Sequence, residues 1–198
     1  MTKNTKPSTA RLALLALLTA LVSILAYFGG FIKIGGLASI SLTLIPVVLG
    51  AALCGAGAGA WLGVIAGVVF FATPDAAFWF GMSVGGTVVT VLVKGALSGL
   101  LAGLAYSAIE KYNRYIAVIV AAIVCPIVNT GIFIIGCFIF FMDAVSAGAT
   151  SQGMPIGMYI LIFYVGLNFV FEMLSNIILS PTVVKLISIK KNGEKKAS

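Results

Sequence analysis

Long and almost uninterrupted apolar runs constrain this chain more than any other feature of its sequence. Residues 10–28 form the first run, and further runs follow, separated by short segments that are rich in glycine or charge. About 20 consecutive apolar residues are enough to cross the hydrocarbon core of a bilayer as a helix. The strands of a transmembrane β-barrel would instead alternate apolar and polar residues. The runs therefore predict an all-α membrane protein.

The composition excludes several classes of function. Of the 198 residues, 61% are hydrophobic and 9% are charged, whereas globular proteins carry about 25% charged residues. The chain has no histidine and only three scattered cysteines, which argues against zinc enzymes, Ser–His–Asp chemistry and any metal site. It also has no Walker A motif, so we expect no cofactor, no ATP hydrolysis by this chain and no enzymatic activity.

The runs predict six transmembrane helices in a single domain, residues 1–189, followed by a basic cytoplasmic tail, residues 190–198. Spans one to six are expected at about residues 10–28, 39–53, 58–72, 83–109, 115–142 and 156–181. We expect Pro46 to kink span two. Loops are expected at residues 73–75 and 143–155, and the tail is expected to be disordered.

Charge predicts the orientation of these spans. With both termini in the cytoplasm, ten of the 12 lysines and arginines lie on the cytoplasmic side, as the positive-inside rule requires. The two exceptions are Lys33, in the first outer loop, and Lys94, inside span four.

A few polar side chains fall inside the predicted spans, where such groups are costly and often functional. They are Lys94 in span four, Asn129 in span five, and Asn168, Glu172 and Asn176 in span six. The three in span six recur every four residues and therefore share one helix face. At about 1.5 Å of rise per residue, Lys94, Asn129 and Glu172 lie roughly 16–24 Å deep. The group is interpreted as a polar pocket for a small molecule, with two alternatives left open: a structural Lys94–Glu172 ion pair braced by asparagines, and a lysine that snorkels along lipid.

Two other patterns have both a structural and a functional interpretation. Glycines repeat every four residues in span three and in span four, which favours close internal packing of helices. Aromatic residues, including Trp79, lie near the outer loops, where they form either an interfacial belt or a gate over a pocket. Asp75, in the same outer segment, is positioned to cap such a pocket.

The chain resembles the substrate-binding S components of energy-coupling factor (ECF) vitamin transporters. The resemblance is carried by the segment A-R-L-A-L-L-A-L-L-T-A-L of residues 10–21, by Ser41–Pro46 with Gly50-Ala51, and by Gly59–Gly63. It implies an S-component-like bundle that binds a vitamin, docks on a transmembrane scaffold subunit and is driven by two ATPase subunits. It also implies that Ala16 and Ala20 form the docking face of span one, and that Lys33, Asp75 and Trp79 of the outer loops join the substrate-binding set.

Pantothenate is the substrate that best matches these residues. Lys94 offers a cation to a carboxylate, and the asparagines and Glu172 offer partners to hydroxyl and amide groups. Folate, biotin, lipoate and pyridoxine-like compounds remain open, as does a stand-alone secondary transporter of a small polar solute. A ligand-free structural membrane protein is a further alternative. The expected location is the plasma membrane of a bacterium.

Overall fold

The computed structural model describes residues 9–29, 33–34, 38–39 and 42–197, with side chains described within 9–29, 42–166 and 169–185. The side chains of Lys33 and Asn168 therefore lie outside the described part of the chain. The elements are α1 (Thr9–Gly29), β1 (Lys33–Ile34), β2 (Ala38–Ser39), α2 (Leu44–Cys54), α3 (Ala56–Phe70), α4 (Pro74–Met82), α5 (Val84–Ile109), α6 (Arg114–Phe140), α7 (Met142–Ser151), α8 (Ile156–Tyr159), a π-helix (Ile160–Val165) and α9 (Gly166–Ala197).

Apolar helices account for nearly all of the described chain, which confirms the all-α membrane class. Helices α1, α5 and α6 are each long and apolar enough to cross a membrane. Two bent pairs raise the number of candidate spans to five: α3 with α4, bent by 85°, and the last helical segment, bent by 47°. Helix α2 is apolar but shorter. The count of six spans and the orientation of the termini stay predictions.

Pro46 does not kink span two, contrary to the expectation. Helix α2 begins at Leu44, so Pro46 lies in its first turn. The backbone N–H groups of a first turn have no partner within the helix, and proline is tolerated there. Pro46 therefore belongs to the start of α2.

Both segments expected to be loops are largely helical. Pro74 occupies the start of α4, a position that favours proline because its φ angle is already helical. Residues 142–151 form α7, whose serine and threonine side chains bond to carbonyls of the preceding turn. The first segment contains proline and aspartate and the second is polar and contains glycine, so both have the composition of loops, which is why the expectation was wrong for both.

The last span also differs from the expectation. A π-helix interrupts it at Ile160–Val165, and Gly166 follows with a non-helical backbone. Beyond this break α9 continues past Pro181 as far as Ala197. The expected disorder of the basic tail is therefore wrong for residues 190–197.

The glycine repeats bring α3 and α5 into direct backbone contact. A Cβ atom added to Gly63 would collide with the carbonyl of Gly95, and one added to Gly59 would lie 2.5 Å from the carbonyl oxygen of Gly99. Only glycine allows two helices to approach this closely. The internal-packing interpretation of these repeats is confirmed.

Two apolar clusters divide the bundle along its length. The large core includes Leu18, Val47, Leu62, Tyr106, Val118 and Val183. The small core is formed by Cys137, Phe141, Val145, Ile160 and Val165. Along α6 and along the last span, Asn129 and Glu172 each lie between residues of the two cores. The polar residues therefore occupy a layer between the cores.

Candidate functional site

Lys94 is the cation of this polar layer. It lies on α5, one turn before the buried Ser98, and its side chain is half-buried. Its Nζ atom lies over the ring of Phe133 on α6, 5.3 Å from the ring centroid. Glu172 is close enough to interact with it electrostatically. The structure thus brings together Lys94 and Glu172, which are 78 positions apart in the sequence.

Glu172 is the acid of the layer and is almost fully buried, with 2% of its surface exposed. Asn129 of α6 donates a hydrogen bond from Nδ2 to Oε2 of Glu172, at 3.5 Å. A buried carboxylate is stable only when hydrogen bonds or charges satisfy it. Asn129 and Lys94 supply such partners from two helices other than its own.

Asn176 has a partner within its own helix. Its Nδ2 donates a hydrogen bond to the backbone carbonyl of Glu172 at 2.8 Å. Its own backbone carbonyl accepts a hydrogen bond from the hydroxyl of Ser180 at 2.7 Å. These bonds run along α9 and leave Asn176 buried. They brace the segment that carries Glu172, and contact of Asn176 with a substrate stays a prediction.

Trp79 is the centre of an aromatic cluster that adjoins the cation. Its ring lies 5.2 Å from that of Phe133, 5.3 Å from that of Phe141 and 5.2 Å from that of Tyr164. The backbone carbonyl of Trp79 accepts a hydrogen bond from Thr87 of α5. Its neighbour Phe78 is instead 49% exposed, so Trp79 packs into the cluster and Phe78 does not.

Phe133 and Tyr164 were not among the residues predicted from the sequence. Both lie within apolar runs, where an aromatic side chain is indistinguishable from one that faces lipid. A usable signal existed for Phe133, because it follows Asn129 by four positions and therefore shares its helix face. The same pattern marks Tyr164, because it precedes Asn168 by four positions in the sequence; the structure places it in the π-helix, whose period differs from that of an α-helix.

The segments that were predicted to be outer loops lie near this region. Asp75 lies in the first turn of α4, where a negative charge is favoured by the helix dipole, and it precedes Trp79 by one turn. The backbone of Lys33 pairs with that of Ser39 in a short antiparallel ladder, and β2 contacts both the π-helix and α9. Asn168 is in the first turn of α9.

The predicted docking residues lie on the surface. Ala16 and Ala20 are exposed on α1, whereas Leu18 and Val22 of the same helix are buried. Near the start of α1, Arg11 donates a hydrogen bond to the carbonyl of Cys54, at the turn between α2 and α3. The face with Ala16 and Ala20 is therefore free of internal packing.

The polar layer combines few kinds of functional group. The part of the chain that the structure describes contains no group of three histidine, cysteine or acidic residues that could hold a metal ion, and its cysteines are free. What the site offers is one cation, one carboxylate, an amide and a wall of aromatic rings.

Comparison with known proteins places the chain in a family. No curated protein and no solved structure matches it. The family model described as "ECF transporter, substrate-specific component" matches residues 10–187. Proteins of that family are membrane subunits that bind the substrate of a transporter and work with a scaffold and ATPases; the family is not one of enzymes. This chain belongs to the ECF transporter substrate-specific component family.

Proposed function

We propose that this protein is the high-affinity, membrane-embedded binding subunit for uptake of a carboxylated vitamin, and that pantothenate is its substrate. The observation that carries the proposal is the position of Lys94: a half-buried cation that adjoins both an aromatic ring and a buried acid–amide pair. A lone lysine at this depth is costly in a membrane unless an anion or a polar cavity compensates it.

The chemistry of the layer matches that of pantothenate group by group. Lys94 would pair with the carboxylate, because an ammonium and a carboxylate form a strong charge-assisted hydrogen bond. Asn129 and Glu172 would bond to the hydroxyl and amide groups. The rings of Phe133 and Trp79 would pack against the two methyl groups. Folate, biotin, lipoate and pyridoxine-like compounds belong in the same test as competing candidates.

We propose that the ligand enters beside α4 and that α4 closes over it. Ala76 and Trp79 are the residues that fix this short helix most clearly: Ala76 is 1% exposed, and Trp79 fills the aromatic cluster. Phe78 is exposed on the same helix. An element with so few buried side chains can open at low cost. The β1–β2 ladder, which contains Lys33, lies against the last span and would form a second part of the cover.

We further propose that Ala16 and Ala20 dock on the scaffold subunit, which two ATPases drive, in the plasma membrane of a bacterium. Small exposed residues spaced by four positions let a foreign helix approach closely. Uptake would then require the ATPases. Transport by the purified chain in liposomes with an ion gradient alone would favour the secondary-transporter alternative instead.

A screen of the purified protein tests the substrate. Thermal unfolding is measured with pantothenate and with each competing vitamin, since a ligand stabilises the folded state by RT ln(1 + [L]/Kd). We expect pantothenate to raise the unfolding temperature more than any other member of the set. A larger shift with another vitamin would replace pantothenate, and no shift with any of them would contradict the proposed function.

A further inference from the structure

We infer that Phe133 is a positioning residue: its ring holds the Lys94 ammonium beside Glu172, in readiness for an anionic ligand. The readiness for an anion rests on the proposed function, whereas the contact between ring and ammonium does not. Two contacts connect three residues on three helices: the Trp79 ring of α4 packs against the Phe133 ring of α6, and the Lys94 ammonium of α5 lies over that same ring.

The Lys94 ammonium has two neighbours that can bind it, Glu172 and the ring of Phe133. A cation prefers a carboxylate at contact distance to any neutral partner, so Lys94 and Glu172 alone would close into an ion pair that a ligand must break. The ring of Phe133 offers a second partner, because its face carries negative charge density. Nζ of Lys94 lies 5.3 Å from the centroid of this ring, so the ring binds the ammonium while Glu172 interacts with it electrostatically.

The ring of Phe133 is itself held in place by a second aromatic ring, that of Trp79. The Trp79 ring meets that of Phe133 at 87°, with the centroids 5.2 Å apart. This edge-to-face geometry is the preferred one for aromatic pairs. Trp79 is held in turn by Phe141 and Tyr164. The face presented to Lys94 is therefore set before any ligand arrives, which lowers the cost of ordering the lysine on binding.

The carboxylate of Glu172 is stabilised by a partner other than Lys94. Asn129 donates to its carboxylate, and Asn129 lies one helical turn from Phe133 on the same face of α6. One helix thus supplies a partner to the acid and a partner to the cation. The two charges can stay adjacent without neutralising each other completely, and the ammonium keeps a bonding position for the ligand.

The test lowers the negative charge density on the face of the Phe133 ring while nearly keeping the shape of the side chain. Phe133 is replaced in the full-length protein by mono-, di- and trifluorinated phenylalanine, which withdraw progressively more electron density from the ring. The unfolding temperature of the ligand-free protein is measured for each, with Lys94 intact and in K94M. We expect a stepwise fall that is steeper with Lys94 intact than in K94M, because only the contact of Phe133 with Trp79 still responds to fluorine when the ammonium is absent. If K94M does not purify, Lys94→Gln takes its place.

The affinity for pantothenate is then measured across the same series with Lys94 intact. We expect the dissociation constant to rise stepwise by a total of about two- to thirty-fold, the range of a cation–π contact. Equal fluorine effects with and without Lys94, or none at all, would overturn the contact. A stepwise change in stability with an unchanged dissociation constant would overturn the positioning role. If the unmodified protein does not bind pantothenate, the proposed substrate fails, while the ligand-free series still decides whether Phe133 holds Lys94.

Discussion

Lys94 shows how one residue can be assigned from the sequence while its surroundings cannot. A lysine inside a long apolar run is conspicuous, and so is an acid in another run, because both are costly in a membrane. The pairing of Glu172 with Asn129 and its proximity to Lys94 were predictable from depth alone. The ring of Phe133 was not, because phenylalanine in an apolar run is compatible with lipid, with the core and with a site.

Removing the charge of Lys94 should abolish most of the ligand affinity. In K94M the side chain keeps most of its length and loses its ammonium, so we expect binding of pantothenate to weaken by about 2–5 kcal/mol, the cost of truncating one partner of a buried charge pair. Isothermal titration calorimetry measures this. Lys111→Met is the matched control, because Lys111 also lies over an aromatic ring, at 5.0 Å from Tyr112, but is exposed. Equal losses in the two variants would contradict the assignment.

At the scale of elements, the sequence predicts helices α1, α5 and α6 well and the short helices α4 and α7 poorly. The expected bounds of spans one, four and five differ from those of α1, α5 and α6 by at most two residues at either end. Hydrophobic length alone determines these helices. Helices α4 and α7 were missed because their stability comes from contacts such as those of Trp79 and of Gly148 with Tyr159. Such contacts depend on where other helices lie.

The contact between α3 and α5 should fail when a side chain is inserted. In Gly63→Leu the new side chain would collide with the backbone of Gly95, which cannot move as a flexible side chain can. We expect a fall in the unfolding temperature that corresponds to at least about 1–3 kcal/mol, the usual cost of overpacking. Gly131→Leu on α6 is the control, since nothing lies within 4 Å of an added Cβ there. A similar fall in both variants would indicate that helix glycines matter in general and that this contact is not special.

Closure of α4 should be visible in tryptophan fluorescence. The chain has two tryptophans: Trp79 lies in the aromatic cluster, and Trp61 bonds to Thr19 on the α1 face. We expect pantothenate to change the emission of the Trp61→Phe protein, because only Trp79 then reports. The Trp79→Phe protein should give no ligand-dependent change. A signal that survives in Trp79→Phe would rule out α4 as the element that closes.

At the scale of the whole molecule, the two sides of α1 have different environments: one side packs into the fold and the other is exposed. Leu18 and Val22 face the large core, and Ala16 and Ala20 face outward. The four-residue spacing of Ala16 and Ala20 in the sequence shows that they share one side of α1. Only the packing of α1 on its neighbours shows that this side is exposed. A face that is free in the isolated protein can be altered without disturbing the ligand site.

Bulky residues on this face should therefore uncouple binding from uptake. For the Ala16→Trp/Ala20→Trp double variant, we expect ligand affinity within about twofold of the unmodified protein, because a surface change away from the site costs little. Co-purification with the scaffold subunit and ATP-driven uptake should be lost. Val93→Trp, exposed on α5, is the control and should retain both. Normal uptake by the double variant, or joint loss of binding and uptake, would contradict the docking role.

The role of Lys94 in binding the substrate carboxylate is tested most directly with two ligands. The affinity for pantothenate is compared with that for its neutral alcohol analogue, in which the carboxylate is replaced by a hydroxymethyl group. We expect the unmodified protein to bind the acid at least about tenfold more tightly, because only the acid pairs with Lys94. We expect K94M to lose this preference. Equal affinities in the unmodified protein, or a preference for the acid that persists in K94M, would show that Lys94 is not the anion-binding residue.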